Sequence, residues 1–311
     1  MIYSIILILL TLNTLVLLTG NNIGTLRGPY RSLTQLRYAS SILILLGVIL
    51  GAVLEGWKLN KFYTAYTLDI YGVIIVLLSS TILVALGNIY RTPVSLNMSI
   101  ISGVWGIAVA SQTPIDLEYT LILILSWIIL PLIGITLSAV ISYILVRYRL
   151  TRGWGSYSLE KASSLLTSLF LSYVFGANTL GLIFAIVAPN LDIGLENVIL
   201  PSIILLSYII GIKYFTARVE TGLGYNIYNI GLISLISSQT ATFIVLETAT
   251  QLGIPVSLTQ VLTISLLGAS LSRELKLINI EYIARMSKVW IGSLILGFLL
   301  SASLYLLTTY L

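Results

Sequence analysis

The sequence predicts an all-α, polytopic transmembrane helical bundle made of two inverted-topology repeats of about five spans each, with broken or re-entrant helices. Three observations lead to this prediction: the chain is 58% hydrophobic and only 9% charged, apolar blocks recur along its whole length, and two polar motifs occur twice. A soluble domain has about 25% charged residues, so a chain this poor in charge must expose most of its surface to lipid. Continuous apolar runs of roughly 20 residues favour helices over barrel strands, in which apolar and polar residues alternate.

Ten apolar blocks are predicted to be membrane spans. They cover residues 2–19, 37–56, 68–90, 94–111, 119–146, 161–177, 197–213, 227–249, 256–272 and 289–310. The first block has no basic segment before it and no small-residue cleavage site, so we interpret it as a retained helix rather than a signal peptide.

Basic residues predict the orientation of these spans. If the N-terminus is outside and the chain alternates, only Lys58 and Lys61 of the 16 Lys and Arg residues fall outside. Because Lys and Arg concentrate on the cytoplasmic side of membrane proteins, we expect a multi-pass protein of the cell membrane with both termini outside.

The most basic connection also lies near the middle of the chain and divides it. We predict a first inverted repeat at residues 1–146, a cytoplasmic linker at 147–160 and a second inverted repeat at 161–311. Five spans per half is an odd number, so the halves must insert in opposite orientations. Inverted repeats are typical of secondary transporters, whose substrate site lies near the midplane where the repeats meet.

Two polar motifs recur in the same order in both halves. They read GNNIG at residues 20–24, GANTLG at 176–181, PVSLN at 93–97 and PVSLT at 255–259. Gly and Pro interrupt helices, and non-helical backbone at membrane depth survives only when it lines a cavity or is buried in protein. If all four motifs open a helix, four N-terminal ends would converge on one anion site built from backbone N–H groups, hydroxyls and helix dipoles. Taken singly, each motif also fits an ordinary helix cap or a helix-packing contact.

These motifs resemble the signatures of the inorganic phosphate transporter (PiT) family, which carries sequences like GANDVANA and PVSTTH once in each inverted half. The resemblance covers nearly the whole chain. It implies a secondary active transporter that moves inorganic phosphate, or a similar oxyanion such as sulfate, by alternating access as an ion-coupled symporter. The matching positions, implied to bind the substrate, are Asn21, Asn22, Ser95, Asn97, Asn178, Thr179, Ser257 and Thr259.

Several departures make the chain similar to a divergent member that lacks the signature aspartates. The family's Asp, His and Glu positions correspond to neutral residues here: Asn22, Thr179, Met98, Gln260, Ile44 and Gln239. Two explanations compete: coupling by H⁺ or by a remade, weak Na⁺ site, or a different substrate. The weak coupling-ion candidates are Asn22, Thr179, Gln239 and Glu247. Of these, Glu247 near the outer end of the eighth span is the candidate proton carrier.

The composition also excludes several other classes of function. The chain has no His and no Cys, which excludes thiol and imidazole catalysis and Cys/His zinc sites, so we predict neither an enzyme nor a metal site nor a cofactor. A non-transporting membrane subunit and a channel stay open as alternatives.

The basic residues are scattered among helix ends, a pattern that does not indicate a nucleic-acid partner. The expected partners are phosphate or sulfate, the lipid bilayer and, as one oligomeric alternative, a second copy in a homodimer.

Overall fold

The computed structural model describes residues 2–23, 26, 37–90, 94–148, 154–191, 196–214, 231–271 and 280–310. Within these ranges the chain is helical and contains no strand, which confirms the all-α prediction. Pro93 of the first PVS motif, residues 149–153 of the predicted linker and the basic stretch at 272–279 lie outside the described residues.

Twelve α-helices occur in the described ranges. In chain order they are α1 (Ile2–Leu18), α2 (Arg37–Glu55), α3 (Asn60–Ala65), α4 (Ile70–Ile89), α5 (Leu96–Ala110), α6 (Leu117–Arg147), α7 (Trp154–Phe175), α8 (Gly181–Val187), α9 (Glu196–Tyr214), α10 (Leu232–Gln251), α11 (Leu258–Leu271) and α12 (Ile280–Tyr310). A π-helical turn, Thr19–Ile23, extends α1, and a second, Gly176–Leu180, joins α7 to α8. A 3₁₀ turn, Gly56–Leu59, joins α2 to α3.

Each of the ten predicted spans corresponds to an apolar helix. Among the described residues, seven helical segments are long and apolar enough to cross a membrane, and three shorter ones occupy the remaining positions.

Some predicted boundaries are wrong. The sixth span, predicted at 161–177, lies within a helical segment that runs from Tyr157 to Asn190, because the GANTLG motif forms a π turn that continues the helix. The last helix begins at Ile280 rather than at residue 289, and α7 begins at Trp154, inside the predicted linker.

The two halves are interlocked rather than placed side by side. Helix α1 packs against α4 of its own half and α9 of the other half, while α7 packs against α10 of its own half and α2 of the other. In the same way, α5 packs against α12 and α11 packs against α6. Each of these helix pairs therefore has a counterpart in the other half, as expected of inverted repeats.

Glycines bring these interlocked helices close together. A Cβ added at Gly106 would lie 2.3 Å from the Phe298 carbonyl oxygen, and one at Gly268 would lie 2.1 Å from that of Ile135. Both glycines stand at equivalent positions in the two halves, 162 residues apart in number. The backbones meet there so closely that no side chain fits, which is typical of helix packing in membranes.

The lipid-facing surface follows from the remaining side chains. On α6 the exposed residues are mainly large and apolar, including Leu121, Leu125, Ile128 and Leu132. The carboxylates of Asp69 and Asp116 instead cap the N-terminal ends of α4 and α6, where they accept backbone N–H bonds of 2.9 Å. An apolar exterior with capped helix ends is the arrangement that a multi-pass membrane protein needs.

Candidate functional site

Two short helices, α5 and α11, meet through their N-terminal ends inside the bundle. They contain 15 and 14 residues, or about 22 and 21 Å at 1.5 Å per residue, which is too short to cross the roughly 30 Å hydrocarbon core. The Asn97 Nδ2 atom in the first turn of α5 donates to the Val256 carbonyl oxygen just before α11, at 2.8 Å. The two PVS motifs, one from each half, are thus brought together.

The serines of these motifs cap the two helices. The Ser95 hydroxyl oxygen accepts from the Met98 N–H at 3.3 Å, and the Ser257 hydroxyl oxygen accepts from the Gln260 N–H at 3.4 Å. The Ser257 hydroxyl also lies 3.1 Å from the Thr259 hydroxyl. Each helix still has uncapped N–H groups in its first turn, and both dipoles direct their positive ends towards the same region. Helix N-terminal ends arranged in this way are suited to an anion without a buried cation.

The two Asn-containing motifs form π turns. All residues of Thr19–Ile23 and of Gly176–Leu180 are buried. The second turn leads directly into α8, so it is not a helix start. For the second motif the expected helix start is therefore wrong, because a π turn widens a helix without ending it. The residues that follow the first π turn lie mostly outside the described ranges, and within those ranges two N-terminal ends converge. Such π turns leave irregular backbone hydrogen bonding and are frequent at functional sites.

The side-chain amide of Asn178 links α5, α10 and the α10–α11 connection through four hydrogen bonds. Its Oδ1 atom accepts from the Val256 N–H at 2.8 Å and from Asn97 Nδ2 at 3.3 Å. Its Nδ2 atom donates to Thr250 Oγ1 and to the Ile254 carbonyl oxygen, both at 3.0 Å. A side-chain amide has two donors and one oxygen with two lone pairs. All of them are used in this structure, so Asn178 positions the α10–α11 connection here, and its role in substrate binding stays a prediction.

Asn21 occupies the equivalent position in the first half. Its Nδ2 atom donates to Asn88 Oδ1 at 3.0 Å, and Asn88 Nδ2 donates in turn to the Leu17 carbonyl oxygen at 3.1 Å. Asn88 and Thr250 are thus equivalent partners of the two motif asparagines, and the sequence prediction missed both. A signal was present: each is a polar residue five positions before a PVS motif.

Several buried oxygen atoms near the motifs have no hydrogen-bond partner among the described residues. They include Asn22 Oδ1, Asn97 Oδ1 and Gln260 Oε1. An orphaned buried acceptor is costly, so these atoms call for a partner beyond the described residues. Amide oxygens accept from an O–H group or coordinate a hard cation. Gln260 stands where the resemblance expected a histidine, and its own role was not predicted.

The coupling-ion candidates do not all lie together. Gln239 is hydrogen-bonded to Thr167 and Ser168 of α7. It lies 11 residues from Thr250 along α10, or about 16 Å, and is therefore distant from the residues that contact the PVS motifs. Glu247 lies near the C-terminal end of α10, where its carboxylate accepts from Gln251. Ile44, which aligns with a family glutamate, is fully buried and apolar.

The predicted substrate residues share a buried, uncharged environment. All eight, from both motifs and both halves, are between 0% and 4% exposed. No Lys, Arg, Asp or Glu is buried among the described residues. The conformation is therefore closed around a neutral polar site, and any solute needs a conformational change to reach it.

Comparisons with known proteins agree with this architecture. The model of the phosphate transporter family matches the chain twice, at residues 20–166 and 157–301. A solved structure described as the sodium-dependent phosphate transporter superposes with a TM-score of 0.84 over 100% of both chains, at 17% sequence identity. At that identity the likeness concerns the fold. No curated protein matches the sequence.

Proposed function

Because the chain belongs to the phosphate transporter family, we propose that it is a secondary active transporter that carries inorganic phosphate across a membrane by alternating access. The observation that carries this proposal is the meeting of the α5 and α11 N-terminal ends, shown by the 2.8 Å bond from Asn97 Nδ2 to the Val256 carbonyl oxygen. Two helix dipoles and the hydroxyls of Ser95, Ser257 and Thr259 offer an oxyanion several donors at one place. Sulfate, which has a similar shape, is the alternative substrate.

For the coupling ion we favour Na⁺ at a site made only of neutral oxygens. Asn22 Oδ1, Asn97 Oδ1 and Gln260 Oε1 are buried acceptors without a hydrogen-bond partner among the described residues, and Na⁺ is a hard cation that takes oxygen ligands. Without a carboxylate such a site binds Na⁺ weakly. The solved structure with the same fold is described as sodium-dependent, which supports this choice.

Proton coupling is the second candidate, and Glu247 is the residue that favours it. Its Oε2 atom is buried without a hydrogen-bond partner among the described residues, although the side chain as a whole is only partly buried. The residue lies one turn from Thr250, which contacts Asn178. A carboxyl group there would pick up a proton at the outer edge of the site.

We propose that a set of contacts at the predicted outer end closes access to the site. Lys58 Nζ donates to Gln251 Oε1 at 2.7 Å, and Lys61 Nζ donates to the Leu252 carbonyl oxygen at 3.4 Å. The Tyr119 hydroxyl donates to the Gly253 carbonyl oxygen at 2.5 Å. We call these three contacts the outer latch. They hold the α10–α11 connection, and their release would open the site to the outside.

The remaining parts of the proposal concern the setting of the protein. It is a multi-pass membrane protein, which we place in the cell membrane with both termini outside, following the distribution of Lys and Arg. It has no catalytic role and needs no cofactor in this proposal. A homodimer is the oligomeric state we would examine first.

Uptake of labelled phosphate into proteoliposomes tests the proposal. Separate preparations receive an inward Na⁺ gradient, an inward proton gradient or neither, and labelled sulfate is measured in parallel. We expect saturable phosphate uptake driven by Na⁺ and strongly reduced in Ser257→Ala. Ser111→Ala, which removes a hydroxyl bonded mainly to its own helix, is the matched control and should transport normally.

Each outcome of this assay has a distinct meaning. Uptake driven only by protons and lost in Glu247→Gln would replace Na⁺ coupling with proton coupling. Saturable uptake of sulfate but not phosphate would change the substrate and leave the site in place. Folded protein that takes up neither anion under any gradient would refute the transporter proposal and favour a non-transporting subunit.

A further inference from the structure

A groove between α4 and α12 lies outside the proposed anion site and reaches the residue before Ser95 at one end. Its volume is about 490 Å³. It is lined by Leu83, Leu86, Gly87, Tyr90, Val94, Arg285, Val289, Gly292, Ser293 and Leu296. Apart from Arg285, no lining residue carries a charge. The volume is in the range typical of small-molecule sites.

The groove runs along the helices rather than across them. Its α12 residues, from Arg285 to Leu296, follow one face of the helix over about 16 Å. Ser79 of α4 is hydrogen-bonded to Ser301 of α12 at 2.6 Å, and the chain enters α12 near Arg285 and leaves α4 near Tyr90, so the two helices are antiparallel. The groove is thus charged at one end and apolar along the rest, and it extends from the helix ends towards the membrane interior.

The charged end is available for a ligand. Within the described residues, the ion partner of Arg285 is Glu281, at 3.7 Å, and both side chains are largely exposed. An exposed pair at that distance contributes little. A guanidinium group binds phosphate oxygens with two parallel hydrogen bonds, so it remains suited to a phosphate headgroup.

The middle of the groove is open because residue 292 is a glycine. A Cβ placed there would meet nothing within 4 Å. Gly106 and Gly268, by contrast, are pressed against a neighbouring backbone. Gly292 is therefore not needed for helix packing, and its missing side chain leaves room for a ligand.

From these observations we infer that the α4–α12 groove is a binding site for one anionic phospholipid, with the phosphate on Arg285 and an acyl chain along Val289, Gly292 and Leu296. The groove lies at the end of the bundle where the charge pattern predicts the cytoplasm, and the inner leaflet is rich in anionic lipids. The acyl chain would contact Val94, which directly precedes Ser95. The lipid would thus touch the turn that presents the first PVS motif. This inference does not depend on the identity of the transported solute.

Native mass spectrometry of the detergent-purified protein tests this site. The protein is titrated with phosphatidylglycerol and, separately, with phosphatidylcholine that has the same acyl chains. We expect tighter binding of phosphatidylglycerol. In Arg285→Gln the amide can keep one of the two hydrogen bonds, so binding should weaken about tenfold, as the loss of the other, charge-assisted bond predicts. Lys288→Gln, which removes an exposed cation outside the groove lining, should leave it unchanged.

A second pair of variants tests the apolar part. Gly292→Leu adds a side chain where a Cβ meets nothing within 4 Å, so it should fill the groove and abolish the preference for phosphatidylglycerol. Ile291→Phe adds bulk at an exposed neighbouring position outside the lining and should not. Addition of free inorganic phosphate should not displace the lipid. Equal losses in Arg285→Gln and Lys288→Gln, unchanged binding in Gly292→Leu, or displacement by free phosphate would each overturn the inference.

Discussion

Replacing Asn178 by Ala removes the four hydrogen bonds that hold the α10–α11 connection. Two of the partners keep another bond. Thr250 Oγ1 still donates to the Leu246 carbonyl oxygen at 2.8 Å, and Asn97 Nδ2 still donates to the Val256 carbonyl oxygen at 2.8 Å. The Val256 N–H and the Ile254 carbonyl lose the bond that Asn178 supplied.

The expected cost follows from these two orphaned groups. The Val256 N–H is buried, and a buried polar group left without a partner costs about 1–3 kcal/mol. Ile254 is only partly buried, so water can replace the bond at its carbonyl, and the free energy of unfolding should fall by about 1–3 kcal/mol. Because the Val256 N–H lies directly before the first turn of α11, we also expect phosphate uptake to be lost through misplacement of the Ser257 cap. The defect should appear in kcat, since a misplaced cap disturbs the whole site.

Hydrogen–deuterium exchange and unfolding in mixed detergent micelles measure the two effects. The peptide that contains Val256 should exchange faster in Asn178→Ala, and the unfolding transition should shift to lower denaturant. Asn190→Ala is the control, because Asn190 follows α8 on the same helical segment but is partly exposed, so water can replace its bonds. Unchanged stability and exchange, with only a higher KM for phosphate, would show that Asn178 is a direct ligand and would refute this reasoning.

Two further predictions test the packing and the outer latch. Gly268→Ala would place a Cβ 2.1 Å from the Ile135 carbonyl oxygen and should lower the free energy of unfolding by about 1–3 kcal/mol. Gly292→Ala, the control with open space around it, should leave the free energy of unfolding unchanged. Equal effects of the two variants would contradict the close approach at Gly268. Tyr119→Phe removes the bond to the Gly253 carbonyl oxygen and should increase hydrogen exchange at residues 252–257 while leaving α11 protected. Unchanged exchange there would show that the latch does not depend on this bond.

Much of the architecture could be read from local sequence patterns. Apolar blocks, the positions of Lys and Arg, and two repeated motifs predicted a helical membrane protein of two inverted repeats, because burial in lipid and helix interruption depend on residue type over short stretches. The PVS motifs were correctly placed at helix starts, since Ser is a favourable cap whatever surrounds it. The interlocking of the halves, in which α1 packs on α9 and α7 on α2, has no such local signature.

The sequence by itself determined the membrane setting, the repeat and the neutral character of the candidate site, since these follow from composition and spacing. Only the tertiary structure decided what each polar residue does. It showed that the Asn motifs are π turns, that Asn178 is committed to Val256, Asn97, Thr250 and Ile254, and that Gln239 lies elsewhere. A side-chain amide has few donors and acceptors, and whether they remain free for a ligand depends on partners that are 72 to 81 residues away along the chain.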